Sequence, residues 1–97
     1  MRTNSRIVGA STQFKRDWKR EKKGRQAKVL DSAFGVVLDA LATDQELPPK
    51  YQDHALCGEW IDCRDCHIRP DLILIYRRIG EDKLHLLRLG SHSELGL

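Results

Sequence analysis

Five polar side chains recur at or near the ends of apolar runs in the second half of the chain: His54, His67, Asp71, Arg88 and His92. Imidazoles titrate near neutrality and can take or give protons, and a guanidinium can hold a phosphate by two parallel hydrogen bonds. An aspartate beside an imidazole orients the ring and supports its charged form. Together these groups supply the parts of acid–base RNA cleavage without a metal, in which a ribose 2′-hydroxyl attacks the adjacent phosphorus. A fourth histidine, His85, lies in the middle of an apolar run and reads as an ordinary strand residue.

The elements that must position them follow from hydrophobic periodicity. Residues 6–10 read as a short first strand. Ser11 or Thr12 offers an N-cap for a helix to about residue 23, with Phe14 and Trp18 four apart on one face and Gly24 as its stop. One aromatic stripe at that spacing is expected to face a core rather than stack on bases. Leu30, Phe34, Val37, Leu38 and Leu41 trace the buried stripe of a second helix over 27–43, and Pro48-Pro49 ends it. Residues 44–56 lack either period and read as a loop. Residues 59–68 suit a half-exposed strand, and Leu72 to Tyr76 are apolar at every position, as in a central strand covered on both faces. Arg69-Pro70 predicts a tight hairpin between them. Gly80-Glu81-Asp82 makes the next turn, 84–89 the last strand, and Gly90 delivers Ser91 and His92 to the rim. The expected architecture is α+β, in one domain spanning residues 1–97: a short strand, two helices and an antiparallel meander forming one small sheet. In that meander His67 and Asp71 face each other across the hairpin, Arg88 and His92 project to the same edge, and His54 arrives by loop.

Composition narrows the partners. The hydrophobic fraction of 40% over 97 residues supports one modest core, and the aromatic fraction is only 6%. No apolar run approaches membrane-spanning length, and the apolar stretch after the first six residues is too short for a signal peptide, so a cytoplasmic location is expected. The net charge of +3 conceals an asymmetry: residues 1–28 sum to +8 and the remainder to −5. Lys15, Arg16, Lys19, Arg20, Lys22 and Lys23 are therefore expected to meet RNA, including that of the ribosome. Cys63-Arg64-Asp65-Cys66-His67 matches the pattern for covalent haem. On a strand, however, residues three apart point to opposite faces, so Cys63 and Cys66 cannot reach one haem or one zinc. No metal or other cofactor is expected.

Beyond these separate readings, the chain resembles a known family. Asp53-His54 with Leu56, Gly58 and Trp60, then Arg64-Asp65 with His67-Ile68, Pro70-Asp71 and Ile73 to Tyr76, then Arg88 with Gly90-Ser91-His92, is similar to the YafQ branch of the RelE/ParE toxin superfamily. Thr12, Phe14 to Asp17, Lys19 and Arg20 extend the likeness. Leu72 stands where that branch often has tryptophan, and Gly96-Leu97 where it often has phenylalanine. The resemblance implies a type II toxin with a RelE-like ribonuclease fold, cutting mRNA in the ribosomal A site and neutralised by a cognate antitoxin in a hetero-oligomer. It implies His54, His67, Asp71, Arg88 and His92 as the active-site set. His92 is then the candidate acid, His54 or His67 the base, Asp71 an orienting group and Arg88 a brace for the phosphorane. The rival readings are a toxin of the same fold that inhibits gyrase by binding, and a small nucleic-acid-binding regulator. Changing Lys15, Lys19 and Lys22 together to glutamate should weaken ribosome binding and flatten its salt dependence, as sedimentation across a salt series would show. Unchanged binding would remove that role.

Overall fold

The computed structural model describes residues 5–97, so Arg2 of the basic segment lies outside the described residues. Strand β1 (Ile7–Ala10) leads into helices α1 (Thr12–Lys22), α2 (Ala27–Leu30) and α3 (Ala33–Ala42). A 3-10 turn at Pro49–Tyr51, strand β2 (His54–Ala55) and a second 3-10 turn at Gly58–Trp60 precede β3 (Arg64–Arg69), β4 (Leu72–Ile79), β5 (Lys83–Gly90) and helix α4 (His92–Leu95). All five strands form one sheet in the order β1-β5-β4-β3-β2, antiparallel except where β1 runs beside β5. The α+β architecture and its meander are as expected. Among the described residues no helix is long and apolar enough to cross a membrane.

Both faces of β4 are covered, which is why Leu72 to Tyr76 tolerate no polar side chain. Cys66, Leu74 and Leu89 face the helices and pack with Phe14, Phe34, Val37 and Leu41. Ile73 and Ile75 face the other way into a smaller cluster with Cys63 and Leu95, flanked by Leu56 and Trp60. Cys63 and Cys66 thus belong to opposite faces, as strand geometry requires. Phe14 is buried and Trp18 half-buried, its ring edge-on to Phe34 at 4.8 Å, so the aromatic stripe is core.

Four local expectations need correction. Residues 44–56, expected as a loop, hold a 3-10 turn and the strand β2 that carries His54. The helix expected over 27–43 breaks at Asp31-Ser32, where Ser32 leaves helical geometry and its hydroxyl donates to the Lys28 carbonyl at 3.1 Å. The third strand begins at Arg64 rather than at residue 59, because Gly58, at φ +69°, starts a 3-10 turn. The β3–β4 register pairs His67 with Ile73, with a bulge just beyond it that sets Arg69 opposite Leu72, so His67 does not face Asp71 across the hairpin.

Helix α1 closes the edge of β5 that β1 is too short to reach. The Ser11 hydroxyl caps α1 by accepting from Phe14 N at 2.9 Å and donates to the Leu87 carbonyl at 2.8 Å. Asp17, only 3% exposed, accepts from Leu89 N at 2.9 Å and from Arg88 Nε at 2.7 Å, while Arg20 donates to the Leu89 carbonyl at 2.7 Å. Backbone groups that would otherwise template another strand are thereby satisfied. Burial pushes the Asp17 carboxyl up, but the bonds from Arg88 and Leu89 and the charges of Arg88 and Arg20 outweigh it and hold the group below the usual carboxylate range. Its stabilisation is therefore present above about pH 4, the unfolded value, and is lost as pH falls through the lower native value. Asp17→Asn should cost about 3 kcal/mol at pH 7 and flatten the acid limb of stability, measured by urea unfolding from pH 2 to pH 7.

Candidate active site

Strand β2 is only two residues long, yet it sets His54 opposite Asp65 at the edge of the sheet. The preceding loop is anchored by Asp53, which accepts from Tyr76 Oη at 2.5 Å and Arg64 Nε at 3.2 Å. Gln52 adopts a left-handed backbone (φ 49°, ψ 42°), and its carbonyl lies 2.7 Å from His54 Nδ1. A carbonyl can only accept, so Nδ1 carries the proton and a neutral His54 has its free lone pair on Nε2.

The other two imidazoles complete a row. His67, on β3, lies 6.3 Å from His54 and 5.2 Å from His92 between ring centroids, the latter pair edge-on. His92 opens α4, whose capping box fixes it: Ser91 Oγ accepts from Glu94 N, and Glu94 Oε1 accepts from Ser91 N at 2.8 Å. Asp71 Oδ1 accepts from His92 N at 3.0 Å and lies 2.8 Å from His92 Nδ1. These bonds hold the Asp71 carboxyl below the usual range and leave it ionised. An ionised carboxylate only accepts, so His92 Nδ1 is the donor and Nε2 is left to exchange protons. Leu95, buried in the smaller cluster, pins α4 to the sheet.

Of the five residues expected to meet, four do, although Asp71 bonds His92 rather than facing His67. Arg88 does not join them. It lies in register with Ile75, and its guanidinium grips Asp17 at 2.7 and 3.3 Å. Arg20, expected on RNA, is likewise tied to Asp17, Glu21 and Glu94, whereas Lys15, Arg16, Lys19, Lys22 and Lys23 are exposed. Leu72 is 1% exposed in the helix-side core. His85 sits mid-strand beside Gly9, as expected of a strand residue.

Sequence reasoning missed Asp65. It is 3% exposed among the imidazoles, and its Oδ1 lies 3.1 Å from His54 Nδ1. That nitrogen directs its proton to Gln52, so Asp65 Oδ1 has no hydrogen-bond donor despite the close approach. Burial pushes the Asp65 carboxyl up, and the charges of His54, His67 and His92 pull it only part of the way back. The signal was present: Asp65 stands two residues before His67, on the same strand face. Among the described residues, no group of three or more His, Cys, Asp and Glu is arranged to hold a metal ion.

Residues 6–96 match the model of a family described as the bacterial toxin of a type II toxin–antitoxin system, YafQ. A toxin named YafQ in Haemophilus influenzae is 40% identical over 93 residues, covering 93% of this chain and 91% of that protein. The toxin in the Escherichia coli DinJ–YafQ toxin–antitoxin complex superposes with a TM-score of 0.80 at 33% identity, covering 94% of this chain and 97% of that one. A copper-bound mutant toxin of Helicobacter pylori superposes with a TM-score of 0.79 at 40% identity, covering 94% and 98%.

A buried carboxylate without donors costs stability whenever it is ionised. With its native value raised, the group favours folding below the unfolded value near pH 4 and loses that advantage as pH rises through the native value. Asp65→Asn should therefore raise Tm most at pH 8. The gain should shrink toward pH 5, as the Asp65 carboxyl nears its protonated form, and thermal melts across that range test this.

Proposed function

Since the chain belongs to the YafQ family of type II toxin–antitoxin toxins, we propose that it is an mRNA endoribonuclease that cleaves by proton transfer between histidines. Relatives in Escherichia coli carry the name mRNA interferase toxin YafQ. The observation that carries the reading is the row of three imidazoles, two with Nδ1 committed to an acceptor and Nε2 free.

In this mechanism His54 Nε2 takes the 2′-hydroxyl proton, because the Gln52 carbonyl fixes the tautomer with its lone pair there. The oxygen attacks phosphorus, and the P–O5′ bond breaks as His92 Nε2 delivers a proton to the leaving 5′-oxygen. Asp71 holds the His92 ring and sets its negative charge against an imidazole that must start out positive. His67, between the two, donates to a non-bridging oxygen as charge builds on the phosphorane. The products are a 5′-hydroxyl fragment and a 2′,3′-cyclic phosphate. Arg88, occupied with Asp17, supports the end of β5 that leads into His92 rather than bracing the phosphorane directly.

The exposed lysines of α1 suit contact with ribosomal RNA, which would bring mRNA to the site during translation. A cognate antitoxin would mask the site, as the partner named DinJ assembles with the Escherichia coli toxin. Expressing the chain without an antitoxin and mapping mRNA ends by primer extension should reveal translation-dependent cuts with 5′-hydroxyl termini. His92→Ala and His54→Ala should each lower cleavage by about 10²–10⁴-fold while the protein stays folded by circular dichroism. Full cleavage by folded His92→Ala protein would end the acid assignment.

A further inference from the structure

Beside the histidine row lies a cleft of about 630 Å³, bounded by the start of α3, the 3-10 turn before β2 and the far end of β3. Its walls include Val36, Lys50, Tyr51, Gln52, His67 and Arg69. We propose that this cleft is the subsite for the ribonucleotide that supplies the attacking 2′-hydroxyl. The proposal rests on the ribonuclease reading and adds where the substrate chain lies.

Three observations support it. First, the cleft is continuous with the reacting groups, since His67 is one of its walls and Gln52 is the residue whose carbonyl holds His54. Neither His54 nor His92 lines it. Gln52, which holds His54, does, whereas Asp71, which holds His92, does not, so the cleft lies toward the base's end of the row. The nucleotide placed there is the one upstream of the scissile bond.

Second, its charge is one-sided. Lys50 and Arg69 line it with no Asp or Glu, and neither cation pairs with a carboxylate among the described residues. Such a cleft attracts a polyanion and disfavours a basic partner, which would find no carboxylate in it. The Lys50 ammonium lies 5.1 Å over the ring of buried Tyr51, which holds the cation at the rim.

Third, the lining suits a base as well as a phosphate. Val36 is 61% exposed, an unusual state for a valine on a helix whose neighbours Phe34 and Val37 are buried, and Ile68 and Pro70 continue the apolar surface. Small-ligand clefts run to roughly 300–1,000 Å³ and pair apolar walls with a few polar groups, and this one falls in that range. Single-strand binding sites combine cations for the phosphates with rings for the bases, and here Lys50 and Arg69 stand beside the His67 ring and an apolar wall.

The test is a cleavage assay with purified chain on mRNA-programmed ribosomes, using two changes in the protein and one in the RNA. Changing Lys50 and Arg69 together to glutamate should raise KM at least tenfold with kcat nearly unchanged, the pattern of lost uniform binding. Removing the upstream base should lower kcat/KM about tenfold for the unmodified chain. Val36→Trp, at an exposed position, should fill the cleft and abolish that dependence, so that the abasic RNA and the intact RNA are cut alike. Equal abasic penalties in the unmodified and Val36→Trp proteins would overturn the subsite while leaving the nuclease reading intact. So would unchanged kinetics in the double charge reversal with loss of antitoxin co-purification, which would mark a protein groove instead. No cleavage by the unmodified chain would sink both readings together.

Discussion

Asp17 sits where α1 crosses the end of β5, and it gathers hydrogen bonds from the Arg88 guanidinium, the Leu89 backbone and Arg20. A carboxylate this deeply buried would be costly alone, so its neighbours must arrive together or not at all. The result joins a strongly basic first segment to an otherwise acidic body by one set of charge-assisted bonds. It also fixes the last residues of β5. Gly90 follows at once, in a space so tight that a Cβ there would lie 2.8 Å from Arg20 Nη2 and 2.9 Å from Glu94 Oε1. The placement of His92 therefore descends from a contact on another helix.

The second buried carboxylate behaves in the opposite way. Asp17 is surrounded by donors and stays ionised easily, while Asp65 faces imidazoles and has an oxygen without a donor. Stability alone would not keep such a group. Proteins tolerate local conflicts of this kind where the strained arrangement serves a site, and the gathering of three imidazoles around one negative charge is such an arrangement. The left-handed Gln52 beside it is a further local cost at the same place.

Much of the architecture was legible because hydrophobic period is a local property. The all-apolar run at Leu72 to Tyr76 announced a doubly covered strand, and the Phe14–Trp18 spacing announced a core-facing helix. The helix break at Asp31-Ser32 was not legible, because the apolar stripe continues across it at nearly the same spacing while a single serine hydroxyl redirects the backbone. The bulge at the end of β3 was hidden for a similar reason: one extra residue alters who faces whom without changing any residue type. Asp65 was not legible because an aspartate on a half-exposed strand ordinarily points to water, and only the gathering of β2, β3 and α4 around it brings the imidazoles to it.

By itself, then, the chain's order of residues determined the α+β class, the meander, the basic first helix, the family likeness and the histidines that could exchange protons. All of these depend on side-chain chemistry and on spacings of a few residues. The tertiary structure alone decided which nitrogen of His54 and of His92 is free, that Arg88 is committed to Asp17, and that a cationic cleft opens beside His67. The His92 and Arg88 outcomes depend on contacts 21 and 71 positions apart, with Asp71 and Asp17, and that of His54 on the left-handed turn that aims the Gln52 carbonyl at its ring. A hydrogen bond's direction is set by where its partner lies in space, and no local pattern carries that information.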